Sequence, residues 1–536
     1  MKKVLRFFYS GQFLIFLFLF LEVAVVLILD LNLDDVIISA LVRAGLINSD
    51  IGQTITAITF IVVLAARVVF SIIAIILFFK IINKYEDPEF KIPWLVFLFV
   101  FPIVTCTFFL IFANHTISKR EKKTMKTYYE KIEPYFEISK KKNDQLMEEL
   151  DEARGAFKFV ANTARIGIHK DNRVTYYKNG EEFFPAMIEG LKQAKEFIFI
   201  EFFIITDGQE WSAVKDILIQ KAQEGVDVRI VYDDMGCSGT ISGFTPRRLR
   251  KHGIKCFKFH KLRPFLTGSI NNRDHRKIVV IDHQMAFTGG INLADEYANL
   301  IKRFGYWKDT MVKIEGEAIS NLISTFLANY GLVSKLPPED LDKFLDYEYP
   351  KYKGEGYVMP FGDGPGGIDD ALIGEQNYIN ILNYAKKEVF ISTPYLIPTY
   401  QLNEALRNAA LRGVKVHLIV PGIPDKKLVY LVAKANFKPL LQAGVKIYKY
   451  TPGFNHMKSM LADDDLSFVG TINFDFRSLV HHFECGTIIY KSEANKEIKK
   501  DFLEMIEQSE EVPQAYKLNI FGRMICGIIK LIVPLL

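Results

Sequence analysis

His275-Arg-Lys277-Ile-Val-Val-Ile-Asp282, followed by Thr288-Gly-Gly-Ile-Asn292, has a second copy later in the chain. That copy is His456-Met-Lys458-Ser-Met-Leu-Ala-Asp463, followed by Val469-Gly-Thr-Ile-Asn473. Each reads H-x-K-x4-D, with an Asn 17 residues after the His. The two histidines lie 181 residues apart, and so do the two asparagines. Three flanking stretches repeat as well. Glu196-Phe-Ile-Phe-Ile-Glu201 answers to Glu388-Val-Phe-Ile-Ser-Thr-Pro394, 192 residues on. Strand-like runs beginning at Gly225 and Gly253 return at Gly413 and Gly444, offsets of 188 and 191. Nearly constant offsets across four elements argue for two homologous halves. Strand patterns alternate with helical ones, such as 211–224 and 400–412, so each half reads as α/β. Two such halves about a pseudo-twofold axis bring both motifs into one cleft.

Residues two apart on a strand share a face. His275 and Lys277 therefore point into the same space, as do His456 and Lys458. A half-buried lysine beside a histidine favours the neutral, nucleophilic imidazole. Glycines at 289, 290 and 470 allow close backbone approach. Asn292 and Asn473 have amide groups that can donate to phosphate oxygens. Two lysines and two asparagines would hold a phosphodiester and leave two histidines for chemistry. Asp282 and Asp463 complete the motif and are counted with the catalytic set. Their place at a strand end, on the opposite face, reads as a turn or ion pair behind the site. The carboxylates that orient the imidazoles are sought elsewhere. Glu484 lies 28 residues after His456, and Asp309 lies 34 after His275. A carboxylate on the far ring nitrogen fixes the tautomer. No His/Cys set has metal-ligand spacing, so neither a metal nor a cofactor is expected. The five cysteines, without a C-x-x-C, read as reduced thiols.

The chain has 536 residues, 49% of them hydrophobic, and a net charge of only +5, which argues against a nucleic-acid binder. Its apolar residues crowd the N-terminus. Segments 12–29, 55–79 and 93–113 are each long enough to be expected to span a bilayer. The basic run Ser118–Lys126 would then place the main domain in the cytoplasm. The expected organisation is a transmembrane anchor at 1–115, a charged helical linker at 116–172, and halves at 173–345 and 346–510. An interfacial or packing tail at 511–536 follows.

These residues resemble the phospholipase D superfamily, whose signature is the paired H-x-K-x4-D motif, and within it the bacterial cardiolipin synthases. Phe197–Phe203, Ser392–Pro398 and Gly470–Ser478 running into His482-Phe-Glu484 carry the likeness further. The resemblance implies a two-lobed α/β/α fold behind N-terminal transmembrane helices. It also implies a multi-pass cell-membrane protein that meets phosphatidylglycerol at an anionic lipid bilayer. The implied reaction joins two phosphatidylglycerol molecules into cardiolipin and glycerol through a phosphohistidine. By that analogy His275 is the nucleophile and His456 the acid/base. A phospholipase D-type hydrolase, a phosphatidyltransferase with another acceptor alcohol, and a non-catalytic membrane scaffold are the alternatives.

Overall fold

The computed structural model describes residues 39–45, 48–84, 86–112, 118–261, 271–335, 341–353, 356–365 and 371–532. The chain divides into two compact units, one built on Met1–His115 and the other on Thr116–Leu262 and Ser269–Lys530.

The first unit holds the helices Ser49–Asn83, Pro88–Val100 and Pro102–Phe112. They close on a small core of Leu77, Ile81, Trp94, Leu98, Cys106 and Phe109. Among the described residues no helix is long and apolar enough to cross a membrane. That overturns the expected transmembrane helices, and with them the multi-pass membrane placement. The expected segment 12–29 lies outside the described residues. Segment 93–113 is not one helix, because the chain breaks at Phe101 (φ −134°, ψ 68°) before Pro102. The pieces of 13 and 11 residues reach roughly 20 and 17 Å, short of the ~30 Å hydrocarbon layer. Segment 55–79 lies inside Ser49–Asn83, a 35-residue helix that carries Asp50, Arg67 and Lys80.

The second unit is built on two sheets. The first has seven strands in the order Arg173–Tyr177, Met311–Glu315, Met285–Gly289, Lys277–Ile281, Phe197–Phe202, Asp227–Asp233 and Lys255–Phe259. The second repeats the order with Tyr357–Asp363, Glu484–Tyr490, Leu466–Gly470, Ser459–Ala462, Glu388–Ser392, Lys415–Pro421 and Lys446–Tyr450. It gains the short edge strands His169–Lys170 and Ser509–Glu511. Phe197–Phe202 is buried at all six positions, as suits a strand covered on both faces. It runs parallel to Asp227–Asp233 and antiparallel to Lys277–Ile281. The crossover between the parallel pair is the helix Gln209–Gln223. One face of each sheet packs on its own half's helices. The other faces share a core in which Phe199, Val280 and Ala286 join Phe390, Leu461 and Val469.

The charged stretch after residue 118 packs against the second unit's core. It forms the helix Lys119–Glu148, started by a reciprocal cap between Ser118 and Glu121. Met125, Tyr128 and Ile132 are buried. Gly331, on the helix Ile319–Ser334, makes room for the Tyr128 ring: a Cβ there would lie 1.9 Å from Tyr128 Cζ. These apolar residues recur at helical spacing, but the Lys and Glu between them hide the stripe.

Candidate active site

The two halves exchange strands at the site. The segment leading into each histidine pairs with the segment leading into a carboxylate of the other half. Gly453–Asn455 runs parallel to Tyr306–Lys308, with Phe454 opposite Trp307. Asp274 bridges Phe483 in the same parallel sense. The His456 backbone N–H donates to the Lys308 carbonyl at 2.7 Å, and the His275 N–H donates to the Phe483 carbonyl at 2.8 Å. This fixes the side chains. His275 Nδ1 lies 2.8 Å from Glu484 Oε2, and His456 Nδ1 lies 2.5 Å from Asp309 Oδ2. Each half thus supplies the carboxylate that orients the other half's imidazole. With Nδ1 engaged, Nε2 of each ring is the nitrogen left for chemistry.

Lys277 and Lys458 are buried beside these pairs. Lys277 Nζ donates to the His275 carbonyl at 2.5 Å. Lys458 Nζ donates to the His456 carbonyl, stands 2.7 Å from His456 Nδ1 and 3.8 Å from Asp309. Burial lowers Lys277 to about 8, against the pull of Glu484 and Asp309. Burial lowers Lys458 to about 7; Asp309 opposes this and Lys277 adds to it. Each lysine feels the other half's carboxylate, so both motifs share one site. Burial and the adjacent Lys277 bring His275 down to about 3, with Glu484 opposing. Burial and Lys458 bring His456 down to about 4, with Asp309 opposing. Burial pushes the Glu484 carboxyl upward, but His275 and His482 outweigh it and hold it well below the usual range. Both rings are therefore neutral at pH 7 before a substrate arrives.

Asp282 and Asp463 stand away from the imidazoles. Asp282 accepts from the backbone N–H groups of Lys195, Glu196 and Phe197, each at 2.8 Å. Asp463 accepts from those of Lys386, Lys387 and Glu388 at 2.6–2.9 Å. Both occupy left-handed backbone, at φ 49° and 48°. They bind the starts of Phe197–Phe202 and Glu388–Ser392 to the motif strands. Asn292 accepts from Ile204 N–H at 3.0 Å and donates to Tyr297 Oη at 2.7 Å. Asn473 donates to Ser478 Oγ at 3.1 Å. Each amide nitrogen keeps one further N–H. Gly290 faces Asp309, where a Cβ would fall 2.0 Å from Oδ1. The close approach expected of the glycines serves the carboxylate that holds His456.

Sequence reasoning passed over several groups here. Thr471 Oγ1 donates to Glu484. The rings of Phe203 and His482 lie 5.0 and 5.5 Å from His275, and those of Tyr297 and Trp307 lie 5.5 and 5.7 Å from His456. Thr471, Phe203 and His482 sit inside stretches quoted above, where nothing singled them out; Tyr297 and Trp307 carry no spacing signal. Among the described residues, His275, His482 and Glu484 form the one grouping whose ligand atoms, within 4.8 Å of one another, have metal-binding spacing. Its His275–Glu484 contact is a hydrogen bond of the site just described.

Two stacked α/β lobes holding two carboxylate-bound imidazoles and two lysines in one buried site define an enzyme class that handles anionic phosphoryl groups. A family model described as cardiolipin synthase, PLD-like domain, matches residues 187–327 and 378–506. A Bacillus anthracis protein named cardiolipin synthase 2 is 34% identical over 483 residues, covering 87% of this chain and 91% of its own. An uncharacterized protein of Streptococcus mutans is 42% identical over 459 residues, 85% of this chain and 98% of its own. The crystal structure of phosphatidylserine synthase from Haemophilus influenzae superposes with a TM-score of 0.55 at 15% identity, over 72% of this chain and 100% of its own. It shares the fold. The chain belongs to the cardiolipin synthase family of phospholipase D-like proteins.

Proposed function

We propose that this enzyme is a phosphatidyltransferase that makes cardiolipin and glycerol from two phosphatidylglycerol molecules. The observation that carries the reading is the crossed pairing of His275 with Glu484 and His456 with Asp309. Two oriented imidazoles are what a two-step transfer uses. Nε2 of His275 attacks phosphorus, and the bond from phosphorus to the glycerol oxygen breaks. His456 gives that oxygen its proton. It is neutral in the empty site, and the entering phosphodiester, with Asp309 behind the ring, draws a proton onto it. Lys277, Lys458 and the spare N–H groups of Asn292 and Asn473 hold the non-bridging oxygens. His456, now a base, takes the proton of a second phosphatidylglycerol's terminal hydroxyl. That oxygen attacks phosphorus, and the bond to His275 breaks. Asp282 and Asp463 shape the site without touching substrate.

The partner is an anionic lipid surface. The C-terminal helix Ile520–Ile532 supports this, because Ile520, Phe521, Met524, Ile525 and Ile528 are exposed along one face. Purified protein in phosphatidylglycerol micelles tests the reaction. Cardiolipin and glycerol in equal amounts are expected. Phosphatidic acid with glycerol would make water the acceptor, and no product would sink the reading.

A further inference from the structure

Phe244, Leu300, Ile301, Tyr400, Ile423 and Leu428 are large apolar side chains that stand exposed just beyond the strands of the second unit. The loops that carry them leave the sheets at the histidine end. Phe202, the last residue of its strand, pairs with Lys277 and with Tyr232, so the chain leading to Phe244 departs beside His275. Thr288 pairs with Ile278, and the loop holding Leu300 and Ile301 runs between Asn292 and Trp307. Ser392 pairs with Ile419 and Ser459, so Tyr400, Ile423 and Leu428 follow strand ends beside His456. The two sheets stack through a shared core and their histidine ends meet in one site, so these loops lie on the same side of the unit. The C-terminal helix hangs from that side. Cys526 Sγ donates to the Leu431 carbonyl at 3.4 Å, and Lys530 Nζ donates to Asn436 Oδ1 at 2.7 Å, both at the helix Lys427–Ala435.

Exposed apolar side chains scattered singly are ordinary. Here they come with charge. Arg247 and Arg248 follow Phe244, Lys302 and Arg303 follow Ile301, and Lys426 and Lys427 precede Leu428, all of these cations exposed. Among the described residues, Arg303 alone of them has a carboxylate partner, Glu296 at 3.4 Å, and Asp207 is the exposed acid on the same loops. An apolar tip flanked by cations, repeated on three loops, suits a surface with an apolar interior beneath a negative layer. A second copy of this chain docked by the same face would set these cations against one another. Resting on the reading above, we infer that this rim is the docking face for an anionic lipid surface, with the site opening toward the headgroups. The apolar tips enter the interfacial layer and the cations lie among the phosphates. A phosphatidylglycerol headgroup then reaches the histidines without its acyl chains crossing water.

The test is local, because the first unit also exposes apolar side chains and binding of the whole chain would not say which surface docks. The full chain is labelled with a polarity-sensitive fluorophore in Phe244→Cys, Ile301→Cys and Leu428→Cys variants; the five native cysteines are buried. Leu411→Cys is the control. Leu411 is 68% exposed, much as Phe244 is at 66%, but it ends a helix that runs back to the opposite end of the sheet. On phosphatidylglycerol vesicles the three rim labels should shift to the blue and be quenched by brominated acyl chains, and the Leu411 label should do neither. Phosphatidylcholine vesicles should need at least about tenfold more lipid for the same shift, since each engaged cation contributes about fivefold. Rim labels that stay unshifted while the protein sediments with vesicles would overturn the inference, as would a Leu411 label that moves as much as they do. Shifts that appear without lipid as the protein is concentrated would give the face to a second copy, and phosphatidylcholine as effective as phosphatidylglycerol would overturn the anionic partner. Cardiolipin made in micelles by protein whose rim labels do not move would overturn the docking face alone. Labels that move on an enzyme making no cardiolipin would overturn the reaction alone.

Discussion

In the proposed reaction Nε2 of His275 and Nε2 of His456 carry the chemistry, so the sharpest expectations fall on them. His275→Ala and His456→Ala should each reduce turnover by about 10⁴-fold or more, as removal of a reacting group does in comparable sites. Circular dichroism should still report a folded protein, because the strands beside each ring are held by their own ladders, while the buried carboxylate left without its ring should lower the melting temperature. Appreciable turnover by either variant would rule out the two-histidine scheme. The lysines set the pH response. A lysine is charged below its pKa, and burial brings Lys277 to about 8 and Lys458 to about 7. The positive clamp is therefore present in mildly acidic and neutral solution and is lost as pH rises through these values. A pH profile of kcat/KM should fall by roughly tenfold or more between about pH 7 and pH 9. A flat profile across that range would mean that the lysines do not act as cations.

At the scale of elements, the motif aspartates act as clamps. Asp282 takes three backbone N–H groups at the start of one strand, and Asp463 takes three at the start of its equivalent. Asp282→Ala should cost about 2–3 kcal/mol of stability, at about 1 kcal/mol per lost bond. Activity per folded molecule should fall only a few-fold. Denaturant melts alongside turnover measure both, and a stable but inactive variant would place Asp282 in the chemistry. Strand alternation and the repeat offsets made the α/β halves legible, because buried strands announce themselves as apolar runs such as Phe197–Phe202. The motif showed which His and Lys share a face. The helix Lys119–Glu148 was not legible as a packed element, because its buried Met125, Tyr128 and Ile132 are diluted by charge. The expected membrane segment 93–113 failed for a different reason. Apolarity counted along the sequence does not register the break at Phe101–Pro102, which divides 93–113 into two short helices.

At the scale of the whole second unit, the halves are mutually dependent. Glu484 and Asp309 stood out in the sequence as carboxylates near the motifs, but nothing in their spacing said which histidine each would serve. The crossed pairing arises only when strands of one half meet strands of the other, at Phe454 with Trp307 and at Asp274 with Phe483. The fold is built twice, and the site exists once. In the proposed reaction a phosphatidyl group passes through a histidine held by the other half's carboxylate. The measurement is to mix enzyme with phosphatidylglycerol carrying labelled phosphorus, quench within the first turnovers, and map the label to a peptide. Acid-labile, base-stable label on His275, absent from His275→Ala and much reduced in Glu484→Gln, is the predicted result. Cardiolipin formation with no label on either histidine would contradict the phosphohistidine route.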